Sequence, residues 1–163
     1  MPELVYIGLG SSMGNRLENI NRAKEMIGSH AGIVISSSAV YETSPWGFDN
    51  TGDFLNSVIS VMTYLTPSEL LARALSIEDS MGRVRKGKGY APRIIDIDIL
   101  FYGHKIINSG ELTVPHPLLH ERRFVLVPLC SIAPEFVHPV LGRTVRELLD
   151  RCTDKGTAVR FAD

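Results

Sequence analysis

The chain has 163 residues, 44% of them hydrophobic and 21% charged, with a formal net charge of −1. That length predicts a single domain spanning residues 1–163, able to bury a core without disulfides or a structural metal. The near-zero charge argues against a nucleic-acid footprint, and no apolar run approaches the ~20 residues of a membrane helix. Residues 1–4 lack the basic start of a secretory signal, and the two cysteines, Cys130 and Cys152, form no C-x-x-C pair. A cytoplasmic, monomeric protein with reduced thiols is expected.

Residues 4–9 read as a first strand, followed by a glycine-rich turn at 8–14 and a helix from Asn15 to about Gly28. Residues 33–42 read as a second strand and 43–52 as a loop. Residues 54–65 read as a third strand. Thr66-Pro67-Ser68-Glu69 is a capping box with proline in the first turn, so a helix starts there and stops at Gly82. Residues 94–102 read as a fourth strand. Residues 124–129 are apolar and ambiguous. Thr144-Val145-Arg146-Glu147 is a second capping box, opening a last helix to about Cys152. The tail 153–163 is expected to be loose. This order predicts an α+β fold: a ferredoxin-like β-α-β-β-α-β core, with an antiparallel sheet, helices on one face and a C-terminal helical extension.

Two phosphate-binding motifs nearly match. Residues 82–88 fit G-x-x-x-x-G-K, but Gly89 stands where a P-loop needs Ser or Thr, and the segment follows a helix rather than a strand. Gly8-x-Gly10-x-x-x-Gly14 is one residue too long for a dinucleotide turn.

The informative segment is Ile95-Asp96-Ile97-Asp98-Ile99. Strand alternation puts both aspartates on one face and the three isoleucines on the other. Their Cα atoms should lie roughly 6.6–6.8 Å apart, within reach of one or two magnesium ions. Just before them, residues 83–93 hold five cations (Arg83, Arg85, Lys86, Lys88, Arg93) and no acid. Carboxylates for a metal beside cations for phosphate make a coherent nucleotide site.

These residues resemble the signature of the dihydropterin pyrophosphokinases. So do residues 6–11, Thr43-Ser44-Pro45-Trp46-Gly47, Phe54-Leu55-Asn56, Glu78 with residues 82–85, Val114-Pro115-His116-Pro117, Arg122-Arg123-Phe124 and residues 132–135, in family order. The resemblance implies a ferredoxin-like fold and a transfer of pyrophosphate from ATP to 6-hydroxymethyl-7,8-dihydropterin, with AMP leaving, in folate biosynthesis. It implies two magnesium ions at Asp96 and Asp98, with Arg83 and Arg93 as further catalytic residues. ATP would meet Glu78, Arg85, Ile99, Thr113, His116 and Arg122. The pterin would meet Thr43, Trp46, Phe54, Asn56 and Phe124; a flat ring suits stacking between aromatic faces, and Asn offers donor and acceptor to its polar edge. Ser12, Tyr90 and Glu111 depart from common family residues. The His116/His120 pair lacks the partners of a zinc site. The rival readings are a nucleotidyltransferase, which releases pyrophosphate, and a non-catalytic binding module, which has no need of paired strand carboxylates.

Overall fold

The computed structural model describes residues 1–44, 53–82 and 94–163. The chain order is β1 (Glu3–Ser11), α1 (Arg16–His30), β2 (Ile33–Ser37), β3 (Val40–Thr43), β4 (Phe54–Thr63), α2 (Pro67–Ser80), β5 (Asp96–Tyr102), β6 (Ile107–Asn108), β7 (Thr113–Val114), α3 (Arg123–Ile132), α4 (Val145–Arg151) and β8 (Ala158–Ala162). The main sheet runs β5-β1-β4-β3-β8, with β2 also on β4, and every pairing is antiparallel.

Local chemistry accounts for the helix starts. Asn15 caps α1 by accepting the Glu18 N–H at 3.1 Å, directly after Gly14 at φ 67°. Both capping boxes form: Thr66 and Glu69 exchange bonds at α2, Thr144 and Glu147 at α4. The apolar segment at 124–129 is helical, within α3, and Pro128 lies inside that helix.

The sheet is covered on both faces. Ile7, Leu9, Ile59, Ile97 and Ile99 pack with Ile20 and Ile27 of α1 and Leu70 of α2. Tyr6, Val58, Leu100 and Phe101 pack with Leu126 and Leu129 of α3 and Leu148 of α4. Burying each such aliphatic side chain contributes about 1.5–3 kcal/mol before conformational entropy is counted. The C-terminal helices therefore lie across the sheet from α1 and α2, rather than all helices sharing one face.

Three elements differ from the sequence expectation. The second strand is broken into β2 and β3, because Ser38 turns in to the sheet: its N–H donates to Val58 O at 2.8 Å and its Oγ accepts the Val58 N–H at 2.9 Å. The tail is not loose throughout, since β8 pairs with β3 from Val40↔Ala162 to Thr43↔Ala158. The first strand extends to Ser11, so Gly8 and Gly10 lie within the sheet rather than in a turn.

Candidate active site

A cavity of about 660 Å³ opens on the α3 face of the sheet. Its size suits a small-molecule site. Strand period builds the floor. On β1, Gly8 stands opposite Asp98 and Gly10 opposite Asp96. On its other side Gly10 stands opposite Asn56 of β4. Asp96, Asp98, Asn56 and both glycines all line the cavity. Asn56 is thus two strands from Asp96, roughly 10 Å away, with only a glycine between them. Ile95, Ile97 and Ile99 are 0%, 7% and 4% exposed on the opposite face, which is why the aspartates point outward together.

The wall beside β4 carries Thr43 and Phe54, which are partners in the β3–β4 ladder. The Thr43 hydroxyl donates to Asn56 Oδ1 at 2.6 Å and so orients that amide. A second wall carries Arg122 and Phe124 at the start of α3. The Arg122 guanidinium lies 5.6 Å from the Phe124 ring centroid, a cation–π contact. Phe54 and Phe124 thus line one cavity from two elements, β4 and α3.

His116 does not line this cavity but is electrostatically linked to it. Burial lowers its pKa, the Asp98 carboxylate raises it, and Arg122 lowers it further. Its Nδ1 accepts the Leu118 N–H at 3.3 Å, and its backbone N–H donates to Leu100 O of β5 at 3.0 Å. Ile99 turns its side chain into the core, and Thr113 is exposed on β7. Glu78 differs most from expectation. It is 2% exposed, and its Oε2 accepts the Ile97 N–H at 2.8 Å. Glu78 thus props the β5 segment between the two aspartates and does not line the cavity. Trp46, Arg83, Arg85 and Arg93 lie outside the described residues.

Two hard oxygen ligands on one strand face suit magnesium, which binds through one or two carboxylates and completes its shell with water and substrate phosphates. Among the described residues no group of three or more His, Cys, Asp or Glu side chains could hold a metal.

Residues 6–134 match the family model for 7,8-dihydro-6-hydroxymethylpterin-pyrophosphokinase (HPPK). The chain belongs to the HPPK family. It is 43% identical over 152 residues to the 2-amino-4-hydroxy-6-hydroxymethyldihydropteridine pyrophosphokinase of Methylorubrum extorquens, covering 93% of this chain and 94% of that one. It is 42% identical over 143 residues to the enzyme of the same name from Aquifex aeolicus, covering 88% of each. It is 44% identical over 153 residues to the folic acid synthesis protein fol1 of Pneumocystis carinii, but spans only 20% of that protein's length. Its fold is similar to the crystal structure of a Plasmodium falciparum HPPK-DHPS triple mutant (TM-score 0.77, 18% identity), covering 93% of this chain and 43% of that one. No described helix is long and apolar enough to cross a membrane.

The HPPK motifs account for one side of the cavity better than the other. Gly8 and Gly10 as floor residues were legible in principle, since G-x-G in a strand puts both glycines on one face. Thr153 and Asp154 also line the cavity. They lie beyond the matched segment and carry no local signal.

Proposed function

We propose that this chain transfers the terminal pyrophosphoryl group of ATP to the hydroxymethyl oxygen of 6-hydroxymethyl-7,8-dihydropterin. The new bond joins that oxygen to the β-phosphorus; the bond from the β-phosphorus to the oxygen bridging to the α-phosphate breaks, and AMP leaves. The observation that carries this reading is the shared cavity floor: the carboxylate pair and Asn56 lie on one sheet face, separated by Gly10.

Asp96 and Asp98 are proposed to hold two magnesium ions, which when bound neutralise phosphate charge and polarise the attacking hydroxyl. Phe54 and Phe124 sandwich the pterin, and Asn56, oriented by Thr43, meets its polar edge. Arg122 lies toward the phosphates. His116 and Thr113, with the backbone around Ile99, are proposed contacts for ATP; Arg83, Arg85 and Arg93 are proposed to neutralise its phosphates, and Trp46 to cover the pterin. Holding both substrates in one frame supplies the orientation that phosphoryl transfer chiefly needs. The frame is read as ferredoxin-like, with β2 and β3 counted as one broken strand.

The test is incubation with ATP, magnesium and the dihydropterin alcohol. AMP and the pterin diphosphate should appear in equal amounts. ADP as the only nucleotide product would overturn the reading, and release of free pyrophosphate would favour a nucleotidyltransferase. Asp96→Asn or Asp98→Asn should lower turnover by about 10²–10³-fold while the fold persists.

A further inference from the structure

The C-terminal segment closes the cavity on the side away from the aspartates, and its bonds run to both ring-holding walls. Asp154 lines the cavity. Its Oδ2 accepts the Arg123 N–H at 3.0 Å, and its Oδ1 accepts the Gly156 N–H at 2.8 Å. Arg123 is the first residue of α3, and Arg122, in the capping position, makes no side-chain cap bond. Asp154 therefore caps α3 from 31 residues away. Phe124 is the next residue along.

The same segment is joined to the other wall. The Thr157 N–H and the Thr157 hydroxyl each lie 3.0 Å from Ser44 Oγ, and the Ser44 N–H donates to Thr157 O at 3.2 Å. The backbones press together here: a Cβ on Gly156 would lie 2.6 Å from Ser44 O. Ser44 follows Thr43, which pairs with Phe54 on one side and Ala158 on the other. A continuous line of short bonds thus runs from Phe54 through Thr43, Ser44, Thr157, Gly156 and Asp154 to the helix start that carries Phe124.

We propose that Asp154 is a positioning residue for the pterin, and that residues 154–157 form a clasp setting the gap between the Phe54 and Phe124 walls. The inference rests on the pterin site proposed above. A ring sandwich has a narrow tolerance in spacing, because dispersion contact falls steeply when a gap opens by a fraction of an ångström. Loss of the Asp154 carboxylate frees the Arg123 N–H and lets the start of α3 move relative to β4. The carboxylate pair sits on β5, which the clasp does not touch, so magnesium should be held as before, and ATP should feel the change only through Arg122, beside the capped N–H.

The experiment compares the full chain with Asp154→Ala, Asp154→Asn and Gly156→Ala by steady-state kinetics in both substrates. Thr144→Ala, which removes the cap of α4 away from the cavity, serves as the stability control. Asp154→Ala should raise the KM for the pterin about tenfold, the scale of a lost charge-assisted hydrogen bond, with a smaller rise in the KM for ATP through Arg122 and kcat within about threefold. Asp154→Asn keeps one acceptor and should fall between. Gly156→Ala, which forces the clasp off Ser44, should raise the same KM even if Asp154→Ala does not fold. Thr144→Ala should lower the unfolding midpoint and leave both KM values alone. An Asp154→Ala enzyme with wild-type pterin KM, or with the two KM values raised equally, would show Asp154 to be only a helix cap. A wild-type chain that binds no pterin would instead overturn the site reading, and this clasp with it.

Discussion

Gly10 and Asn56 face each other across the β1–β4 ladder so closely that a Cβ on Gly10 would lie 2.8 Å from Asn56 Nδ2. The amide cannot swing aside freely, because its oxygen is held by the Thr43 hydroxyl at 2.6 Å. Gly10→Ala should therefore displace Asn56 and raise the pterin KM about tenfold, from an overpacking cost of about 1–3 kcal/mol. At Gly8 the nearest atoms are Leu100 methyl carbons at 3.5 and 3.6 Å, which is ordinary contact. Gly8→Ala should change the pterin KM far less. Equal effects from the two substitutions would remove the special role of Gly10.

Thr43 is 1% exposed, and its hydroxyl has Asn56 Oδ1 as its close partner. Thr43→Val keeps the shape and deletes the donor, leaving the half-buried Asn56 amide oxygen without it, at about 1–3 kcal/mol. Pterin binding should weaken by about tenfold while ATP binding is unchanged. Thr43→Ser restores the hydroxyl and should recover most of the loss. Calorimetric titration of each ligand separately is the check.

Glu78 supports the strand between the metal-ligand candidates. Glu78→Leu leaves the Ile97 N–H without its acceptor and should lower unfolding free energy by about 1–3 kcal/mol in urea. It should also raise the magnesium concentration needed for half-maximal turnover, since Ile97 lies between Asp96 and Asp98. Glu78→Gln keeps an acceptor at the same reach and should be milder in both. An unchanged magnesium requirement in Glu78→Leu would separate the strut from the site.

His138 is 4% exposed, edge-on to Phe101 with centroids 5.5 Å apart. Its Nδ1 accepts the N–H groups of Val140 and Leu141, both at 3.1 Å, so the neutral ring is the one that fits. Burial, and then the neighbouring His120, hold its pKa below the ordinary histidine value. As pH falls through about 6.5, the unfolded histidine takes up its proton before the folded one does. The stability contributed is therefore full above that pH and is lost as pH falls below it. His138→Asn keeps an acceptor near the Nδ1 position without titrating there. Its urea midpoint should depend less on pH than the wild-type midpoint between about pH 7.5 and 5. Parallel profiles would rule out this residue as the source.

The Asp96–Asp98 face, both capping boxes and the family motifs were open to reading because each depends on local chemistry. A strand's period of two and a cap's spacing of three act within one stretch of chain, so the sequence by itself determined them. Much of the proposed pterin site was also nameable, since Thr43, Phe54, Asn56 and Phe124 each stand in a family segment and all four line the cavity. Other features depend on partners distant in the chain. The apolar run at 124–129 has no periodicity to reveal a helix, and packing of Leu126 and Leu129 on the sheet decides it. Glu78 reads as an ordinary helix carboxylate until α2 meets β5 and the Ile97 N–H takes its oxygen. The tail has no strand signal of its own; β8 exists because the outer edge of β3 offers hydrogen-bonding groups more than 100 residues earlier. Only tertiary structure could place Asp154 at the cavity and on the first turn of α3, because hydrogen bonding there is set by distance in space.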